Sequence, residues 1–220
     1  MSLIYPDEVF AIKEVVWPQV TFYDKEVEII ESTFANVETH VVAGNKLGKD
    51  FAAGFIMVVA FLICYLRDVR CRIVTTSVDE EHLKVLWAEA ARFCTQARQP
   101  VLAEYGGPLM LHHMMLTRAS ERIVQGKNPD SYVLGLVAEK AEKMGGHHAE
   151  WTLFIGDEAS GLDDPFFKAA QGWAEHFLFI GNPFPCQNFW KKAIEMGDLV
   201  GGGEALRSSD EVLTVGGSNG

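Results

Sequence analysis

The residues best suited to chemistry lie in a glycine-bearing loop ahead of a long apolar stretch. Val41 and Val42 are typical of the end of a short buried strand, a loop is predicted over 43–49, and a helix is predicted from Asp50 onward. A strand, a loop that ends in Gly-Lys and a helix form the layout of a phosphate-binding P-loop. Its glycines let backbone N–H groups point into one concavity, where the positive end of the helix dipole favours an anion. Lys49 adds a point charge for the β- and γ-phosphates of a nucleotide.

Two positions depart from the usual P-loop pattern. Ala43 stands where the first glycine is expected, and that position needs only a small residue. Asp50 stands where Ser or Thr normally gives Mg²⁺ a hydroxyl ligand, so a carboxylate would serve the metal and bring a negative charge close to the phosphates. The alternative interpretation is a glycine-containing turn without a ligand. The predicted phosphate-binding residues are Ala43, Gly44, Asn45, Lys46, Leu47, Gly48, Lys49 and Asp50.

A pair of carboxylates follows an apolar stretch further along the chain. Asp157 and Glu158 come directly after residues 153–156, which is the Walker B arrangement. We expect this strand to lie beside the strand ahead of the P-loop, so that Asp157 reaches Mg²⁺. Glu158 would orient and deprotonate an attacking water as general base. For the carboxylate pair alone, the alternative is a strand that ends in a solvated turn. The pair and the P-loop together favour a nucleotide site.

The hydrophobic pattern predicts the scaffold that would hold these groups. Short apolar stretches alternate with longer amphipathic ones, which indicates an α/β fold with a mostly parallel sheet flanked by helices. Besides the strand that ends at 41–42, the predicted strands are 71–77, 131–137, 151–155 and 177–180. Besides the helix from Asp50, the predicted helices are 22–32, 79–98 (with Ser77 or Asp79 as N-cap), 165–176 and 189–196.

Residues 51–66 form the most apolar run of the chain and carry no charge. A membrane-spanning helix needs about twenty apolar residues, and this run is shorter, with charged residues on both sides. A helix that is apolar all round also fits the centre of a layered fold, where neighbours cover it. We therefore expect a buried helix and no membrane contact.

Composition and charge narrow the function classes. The 220 residues, 48% apolar and 22% charged, fit one large globular domain. A net charge of −11 argues against strong nucleic-acid binding by the chain alone, because Lys and Arg supply most of that affinity. The four cysteines lack CxxC spacing, so neither a zinc site nor a disulfide framework is predicted and a reducing, cytosolic setting is expected. The adjacent histidines at 112–113 and 147–148 lack the further ligands of a tetrahedral metal site.

Three stretches, taken in order, resemble the large terminase subunits of tailed bacteriophages. They are Val42-Ala-Gly-Asn-Lys-Leu-Gly-Lys49, then Leu153-Phe-Ile-Gly-Asp-Glu-Ala-Ser-Gly161 (preceded by Gly146-His147), and finally Leu178-Phe-Ile-Gly-Asn-Pro183. The resemblance spans about residues 17–195. It implies a RecA-like P-loop ATPase of the ASCE type, which uses ATP and Mg²⁺ to drive double-stranded DNA into a procapsid.

The resemblance also implies individual roles. Lys49 and Glu158 would be catalytic, and Asp157 with Asp50 would hold Mg²⁺. Asn182 would sense the γ-phosphate and couple hydrolysis to movement, although an Asn before Pro is by itself a common turn residue. Lys46 is a candidate for the basic residue that many members carry near the start of the loop. The upstream adenine-binding segment usually has an aromatic–Gln pair, and both Tyr23-Asp24 and Trp17-Pro-Gln19 are candidates.

The expected organisation is an N-terminal segment over 1–37 with candidate adenine-binding elements, an ATPase core over 38–200, and a Gly- and Ser-rich tail over 201–220 with poor order. Family members carry a nuclease domain after the ATPase. None is expected here, so either the ATPase is truncated or the nuclease is a separate protein. Candidates for an arginine finger acting between subunits are Arg70, Arg72, Arg118 and Arg122.

The partners that the resemblance implies are double-stranded DNA, the portal protein, the small terminase subunit and further copies in a homo-oligomeric ring on the procapsid, with a monomer in isolation. The expected location is the host cytoplasm during virus assembly, not the virion. Two alternative functions remain. One is another P-loop DNA translocase or helicase. The other is a non-hydrolysing nucleotide-binding assembly module, in which Asp50 has ended Mg²⁺-dependent chemistry.

Overall fold

A seven-stranded sheet forms the centre of the described structure. The computed structural model describes residues 4–43, 48–98, 122–124, 130–137, 141–182, 185–200 and 210–215, with backbone alone for 122–124, 196–200 and 210–215. The strands are β1 (Glu38–Ala43), β2 (Cys71–Ser77), β3 (Arg122–Val124), β4 (Tyr132–Val137), β5 (Trp151–Gly156), β6 (His176–Gly181) and β7 (Asp210–Val215). Their order is β3-β4-β2-β5-β6-β1-β7, with β3 antiparallel to β4 and every other neighbouring pair parallel. The predicted α/β fold with a mostly parallel sheet is confirmed.

The two central strands β5 and β6 are buried at every residue, as expected for parallel strands with helices on both sides. Their pairing sets Ile155 opposite Leu178, and β6 in turn sets Ile180 opposite Val41 of β1. The prediction that the Asp-Glu strand lies beside the P-loop strand is therefore wrong, because β6 lies between β5 and β1. An apolar pattern reports that a strand is buried, but it does not specify which strands are its neighbours.

Six α-helices of the described residues flank the sheet. They are α1 (Pro6–Val16), α2 (Asp24–Ala35), α3 (Lys49–Leu66), α4 (Glu80–Gln96), α5 (Asp164–Gln171) and α6 (Phe189–Val200). Helices α1 to α4 share one hydrophobic core with one face of the sheet, and α5 and α6 share a second core with the other face. The fold therefore has three layers.

Helix α3 is long and apolar enough to cross a membrane by length and composition, but 78% of it is buried inside the fold. Phe55 illustrates the packing, since its ring lies 5.5 Å from that of Trp17 and 5.3 Å from that of Phe93 in α4. The expected buried helix is confirmed. It begins at Lys49, one residue before the predicted start.

The start of α4, the end of α5 and a strand in the tail refine the predictions. Asp79 is the N-cap of α4, since its Oδ1 accepts the N–H of His82 at 2.9 Å. Helix α5 ends before the predicted residue 176, because the Thr152 hydroxyl donates to Trp173 O (3.1 Å) and accepts the N–H of Glu175 (2.9 Å), which leads the chain into β6. Within 201–220, where composition predicts poor order, β7 pairs with β1.

Candidate active site

Four parallel strands end side by side at one edge of the sheet. In spatial order these are β2, β5, β6 and β1. The residues that follow them include Lys49 of the predicted P-loop, the two adjacent carboxylates and Asn182. Because the carboxyl ends of parallel strands share an edge, and crevices at that edge are the usual ligand sites of open α/β sheets, the sheet brings these groups together.

An ion pair joins the P-loop side of this edge to the end of β5. Lys49 Nζ donates a hydrogen bond to Glu158 Oε1 at 2.9 Å, and the two side chains are 4% and 15% exposed. Lys49 is the first residue of α3, and Gly48 before it has a φ of +78°, a left-handed conformation that favours glycine. The backbone turn at Gly48 thus directs Lys49 toward Glu158.

Asn182 is the second partner of Glu158. Its Nδ2 lies 3.1 Å from Glu158 Oε2 and 3.3 Å from Oε1, and Asn182 is buried directly after β6. Glu158 has a φ of +50°, an uncommon conformation for a residue with a side chain. The turn behind it is fixed, since Asn188 Nδ2 donates to the carbonyls of Ala159 (3.0 Å) and Leu162 (2.5 Å). Strained backbone held by its surroundings is typical of functional sites.

Asp157 lies deeper than Glu158 and is 2% exposed. Its Oδ2 accepts the Ser77 hydroxyl at 3.3 Å, and its Oδ1 accepts the N–H of Glu158 at 2.8 Å. Burial, together with the charges of Asp50 and Glu158, raises the pKa of Asp157 to about 7 against the lowering effect of Lys49. The pKa of Asp50 is also raised, mainly by burial. The charges of Asp50, Asp157 and Glu158 therefore act on one another in a site that also holds Lys49.

The structure brings together most, but not all, of the predicted site residues. Lys49, Asp157, Glu158 and Asn182 converge. The charge of Asp50 contributes to the raised pKa of Asp157, after the larger effect of burial. Ala43, at the end of β1, and Gly48 bound the predicted loop. The remaining predicted loop residues, Gly44, Asn45, Lys46 and Leu47, lie outside the described residues, as do His112, His113 and Arg118.

Three residues near the site were not predicted there. Strand β2 ends beside β5, so its last residue, Ser77, contacts Asp157. Parallel pairing of the two strands is enough to place Ser77 there. Glu26 lies against Gly48. His82, half exposed at the start of α4, bonds Asp79 at 2.9 Å. Although desolvation lowers the pKa of His82, its bond to Asp79 and the charges of Asp79, Glu158 and Asp157 raise it overall. Sequence periodicity does not carry such contacts.

The two candidate aromatic segments differ in their surroundings. Trp17 is buried and donates to Phe93 O at 2.8 Å, and Gln19 donates to Gln96 O at 2.9 Å, so both are tied to the C-terminal half of α4. Tyr23 is 80% exposed and precedes the helix that holds Glu26 against Gly48. The helix that follows Tyr23 is therefore the one that contacts Gly48, the last glycine of the predicted loop.

Other candidates lie at the opposite edge. Arg72 stacks over Tyr132 at 4.9 Å and donates to Asp130 O at 3.1 Å, near the start of β2. Arg70 precedes it, and its Nε is 4.0 Å from Glu150 Oε1. His147 shares a 2.6 Å hydrogen bond with the Tyr132 hydroxyl. These side chains are engaged within the chain, away from the Lys49–Glu158 pair.

The fold is similar to two solved large-terminase structures. A mutant of the Thermus phage P74-26 large terminase ATPase domain aligns with a TM-score of 0.60 and 14% identity over 96% of this chain and 86% of that one. The HK97 bacteriophage large terminase aligns with a TM-score of 0.55 and 14% identity over 83% of this chain and 38% of that one. This chain thus spans well under half of the HK97 protein. No protein-family model and no curated protein matches the sequence.

These likenesses define a class of fold. The chain has the RecA-like α/β fold of large terminase ATPase domains. Because the identity is 14% in both alignments, the likeness carries the fold alone, and the function is argued from the site.

Proposed function

We propose that the chain is the ATPase domain of a viral DNA-packaging motor, which hydrolyses ATP to drive double-stranded DNA into a procapsid. The observation that supports it is the convergence of Lys49, Glu158 and Asn182 at the carboxyl edge of the sheet. These are a phosphate-binding cation, a general base and an amide that holds the base. Their order along the chain is also the order of the terminase-like motifs.

Each side chain has a distinct task in this proposal. Lys49 contacts the β- and γ-phosphates and stabilises their charge during transfer. Glu158 takes a proton from the attacking water, a contribution of about 10²–10⁴ in rate for a positioned base. Asn182 donates to the carboxylate of Glu158 and fixes where that proton is accepted. The resemblance adds γ-phosphate sensing to the role of Asn182.

The Lys49–Glu158 pair has a consequence for substrate binding. While the two side chains neutralise each other at 2.9 Å, neither is available to a substrate. A triphosphate competes for Lys49, because its oxygens carry more charge than one carboxylate. Binding of ATP therefore separates Glu158 from Lys49 and leaves its carboxylate available to the water. The hydrogen bonds from Asn182 keep that carboxylate at the strand end.

Asp157 and Asp50 suit Mg²⁺, which the fold class implies. Both offer hard oxygen ligands. Burial and then the charge of Asp50 raise the pKa of Asp157, and a divalent cation relieves the repulsion between the two carboxylates. Among the described residues no group of three or more His, Cys, Asp or Glu side chains forms a metal cage. Mg²⁺ usually takes one or two carboxylates together with waters and phosphates. When bound, Mg²⁺ neutralises charge on the β- and γ-phosphates.

Tyr23 is the proposed contact for the base of the nucleotide. Its exposed ring precedes α2, and Glu26 of that helix lies against Gly48. An exposed aromatic ring offers a stacking face to adenine. The Trp17 ring of the alternative segment is buried and bonded to α4.

The partners proposed from the likeness are double-stranded DNA, the portal protein, the small terminase subunit and further copies of the chain in a ring, in the host cytoplasm. The net charge of −11 supports weak, salt-sensitive DNA contact by the isolated chain.

The test is phosphate release from Mg²⁺-ATP by the native chain and by Lys49→Ala, with Lys25→Ala as control. Lys25 lies on the surface of α2 in an exposed pair with Glu28. We expect turnover that Lys49→Ala abolishes and Lys25→Ala leaves intact. Equal turnover by the native chain and Lys49→Ala would refute the proposed site.

A second candidate, a nucleotide-binding module without hydrolysis, is favoured by one observation. Asp50 replaces the usual hydroxyl ligand, and its charge acts on the buried Asp157. Asp50→Thr restores the hydroxyl. If the native chain releases no phosphate and Asp50→Thr does, the result favours the non-hydrolysing module. Phosphate release by the native chain would mean that Asp50 is a tolerated Mg²⁺ ligand.

A further inference from the structure

Glu26 is a buried carboxylate beside the predicted phosphate loop. It is the third residue of α2 and is 5% exposed. Its Oε2 accepts the backbone N–H of Tyr23 at 3.0 Å, which ties the carboxylate to the residue ahead of the helix. Burial raises the pKa of Glu26, against the lowering effect of this bond.

The other oxygen of Glu26 lies against the start of α3. A Cβ added to Gly48 would be 2.2 Å from Glu26 Oε1 and 3.0 Å from its Cδ. The carboxylate therefore occupies the space that a side chain at position 48 would need. Gly48 is thus constrained twice, by its left-handed backbone (φ +78°) and by Glu26.

Electrostatics makes this placement informative. The N-terminus of α3 favours an anion, but a buried glutamate next to a phosphate site also repels the phosphates it must admit. Gly48 contributes no side-chain cap to α3, so its position depends on what packs around it. The buried carboxylate of Glu26 is explained if the shape of this side chain and its bond to Tyr23 fix the position of Gly48.

We propose that Glu26 is a positioning residue of the nucleotide site, whose carboxylate holds Gly48 and the first turn of α3 in the geometry that phosphate binding requires. The effect of Glu26 on ATP binding rests on the proposed function. The structural claim, that Glu26 fixes Gly48, does not depend on it and is tested without nucleotide.

Hydrogen exchange without nucleotide tests the structural claim. The N–H of Ala52 donates to Gly48 O at 2.9 Å and forms the first bond of α3. We expect the Ala52 amide to exchange about tenfold faster in Glu26→Ala, because local opening becomes easier. Glu28→Ala is the matched control, since Glu28 lies in the same helix with a half-exposed side chain paired to Lys25.

Steady-state kinetics tests the effect on ATP binding. In Glu26→Ala we expect the KM for Mg²⁺-ATP to rise about tenfold with kcat within about twofold, the pattern of lost ground-state binding. Glu26→Gln keeps the shape and the acceptor for Tyr23, so its KM should remain near that of the native chain. Glu26→Asp keeps the charge but is one methylene shorter, so it should behave like Glu26→Ala, and it replaces that variant if Glu26→Ala does not fold.

The outcomes separate the two proposals. A native chain that neither binds nor hydrolyses ATP would overturn the proposed function. Unchanged exchange at Ala52 in both Glu26→Ala and Glu26→Asp would overturn the positioning role, whatever the native chain does with ATP. Faster exchange with an unchanged KM would also overturn it, because Gly48 would then be held by Glu26 without consequence for the phosphates.

Discussion

Lys49 Nζ and Glu158 Oε1 lie 2.9 Å apart, although 109 positions separate the two residues in the chain. The residue that would bind phosphate and the residue that would activate water are thus bonded to each other. The contact joins α3, next to β1, to the end of β5 across β6. It is the most informative contact of the candidate site, because removing Lys49 leaves the carboxylate of Glu158 without its cationic partner.

A double-mutant cycle on this pair should show strong coupling. We expect Lys49→Ala to lower the free energy of unfolding by about 3 kcal/mol, because Glu158 keeps a poorly solvated charge. The double variant Lys49→Ala/Glu158→Gln should recover part of that loss, with a coupling energy of about 1–3 kcal/mol. Urea unfolding of the four proteins gives the cycle. Additive effects would mean that the pair has no energetic importance.

Asn182→Ala should impair turnover without unfolding the protein. The variant removes the donor that holds both carboxylate oxygens of Glu158, so the base samples wrong positions. We expect kcat to fall about 10- to 100-fold with a smaller change in KM. Gln19→Ala, an amide bonded to the far end of α4, is the control. A native kcat in Asn182→Ala would assign Asn182 to the turn alone.

Asp157 should make the metal-free protein less stable as pH rises. Its folded-state pKa is raised from 3.8 to about 7, so folding favours the protonated carboxyl. That stabilisation is complete below the unfolded pKa and is lost as pH rises through about 7. At ~1.4 kcal/mol per pKa unit, we expect a loss of the order of 2 kcal/mol between about pH 5 and pH 8.

Urea unfolding in EDTA at several pH values measures this loss. Asp157→Asn should flatten the dependence, and Mg²⁺ should offset it at the higher pH because the cation favours the ionised carboxylate. The same slope in the native chain and in Asp157→Asn would contradict the assignment.

Gly156→Ala should destabilise the strand end that carries Asp157. A Cβ at Gly156 would lie 2.7 Å from Phe179 Cδ1 and 3.0 Å from Leu162 Cδ1, so aromatic packing across β5 and β6 would have to shift. We expect a loss of about 1–3 kcal/mol by thermal or urea unfolding. At Gly145 the nearest atom is 3.6 Å away, so Gly145→Ala should be nearly neutral. Equal stability of the two variants would argue against tight packing at Gly156.

The sequence predicts element types better than their arrangement. Residues 71–77 are predicted as a strand to the residue from their β-branched side chains, and 51–66 as a buried helix from their apolar run, because both are local patterns. Strand order leaves none, so β5 is predicted beside β1 although β6 separates them. Strand β7 lies in a Gly- and Ser-rich tail, where pairing with β1 rather than composition fixes the backbone.

The site shows the same limit. Lys49, Asp157 and Glu158 are predicted from their places after a loop and a strand of recognisable pattern, and Asn182 is predicted from the resemblance to terminases. Ser77 and Glu26 are not predicted there, because tertiary contacts with Asp157 and Gly48 bring them to the site. Such contacts join elements far apart in the chain and carry no local signature.

The most direct test of the account is Glu158→Gln, compared with the native chain for ATP binding and for Mg²⁺-dependent phosphate release. The amide keeps the shape of the side chain but cannot accept a proton from water. We predict ATP binding within about threefold of native and phosphate release reduced at least about 100-fold. Phosphate release at the native rate by Glu158→Gln would contradict the account.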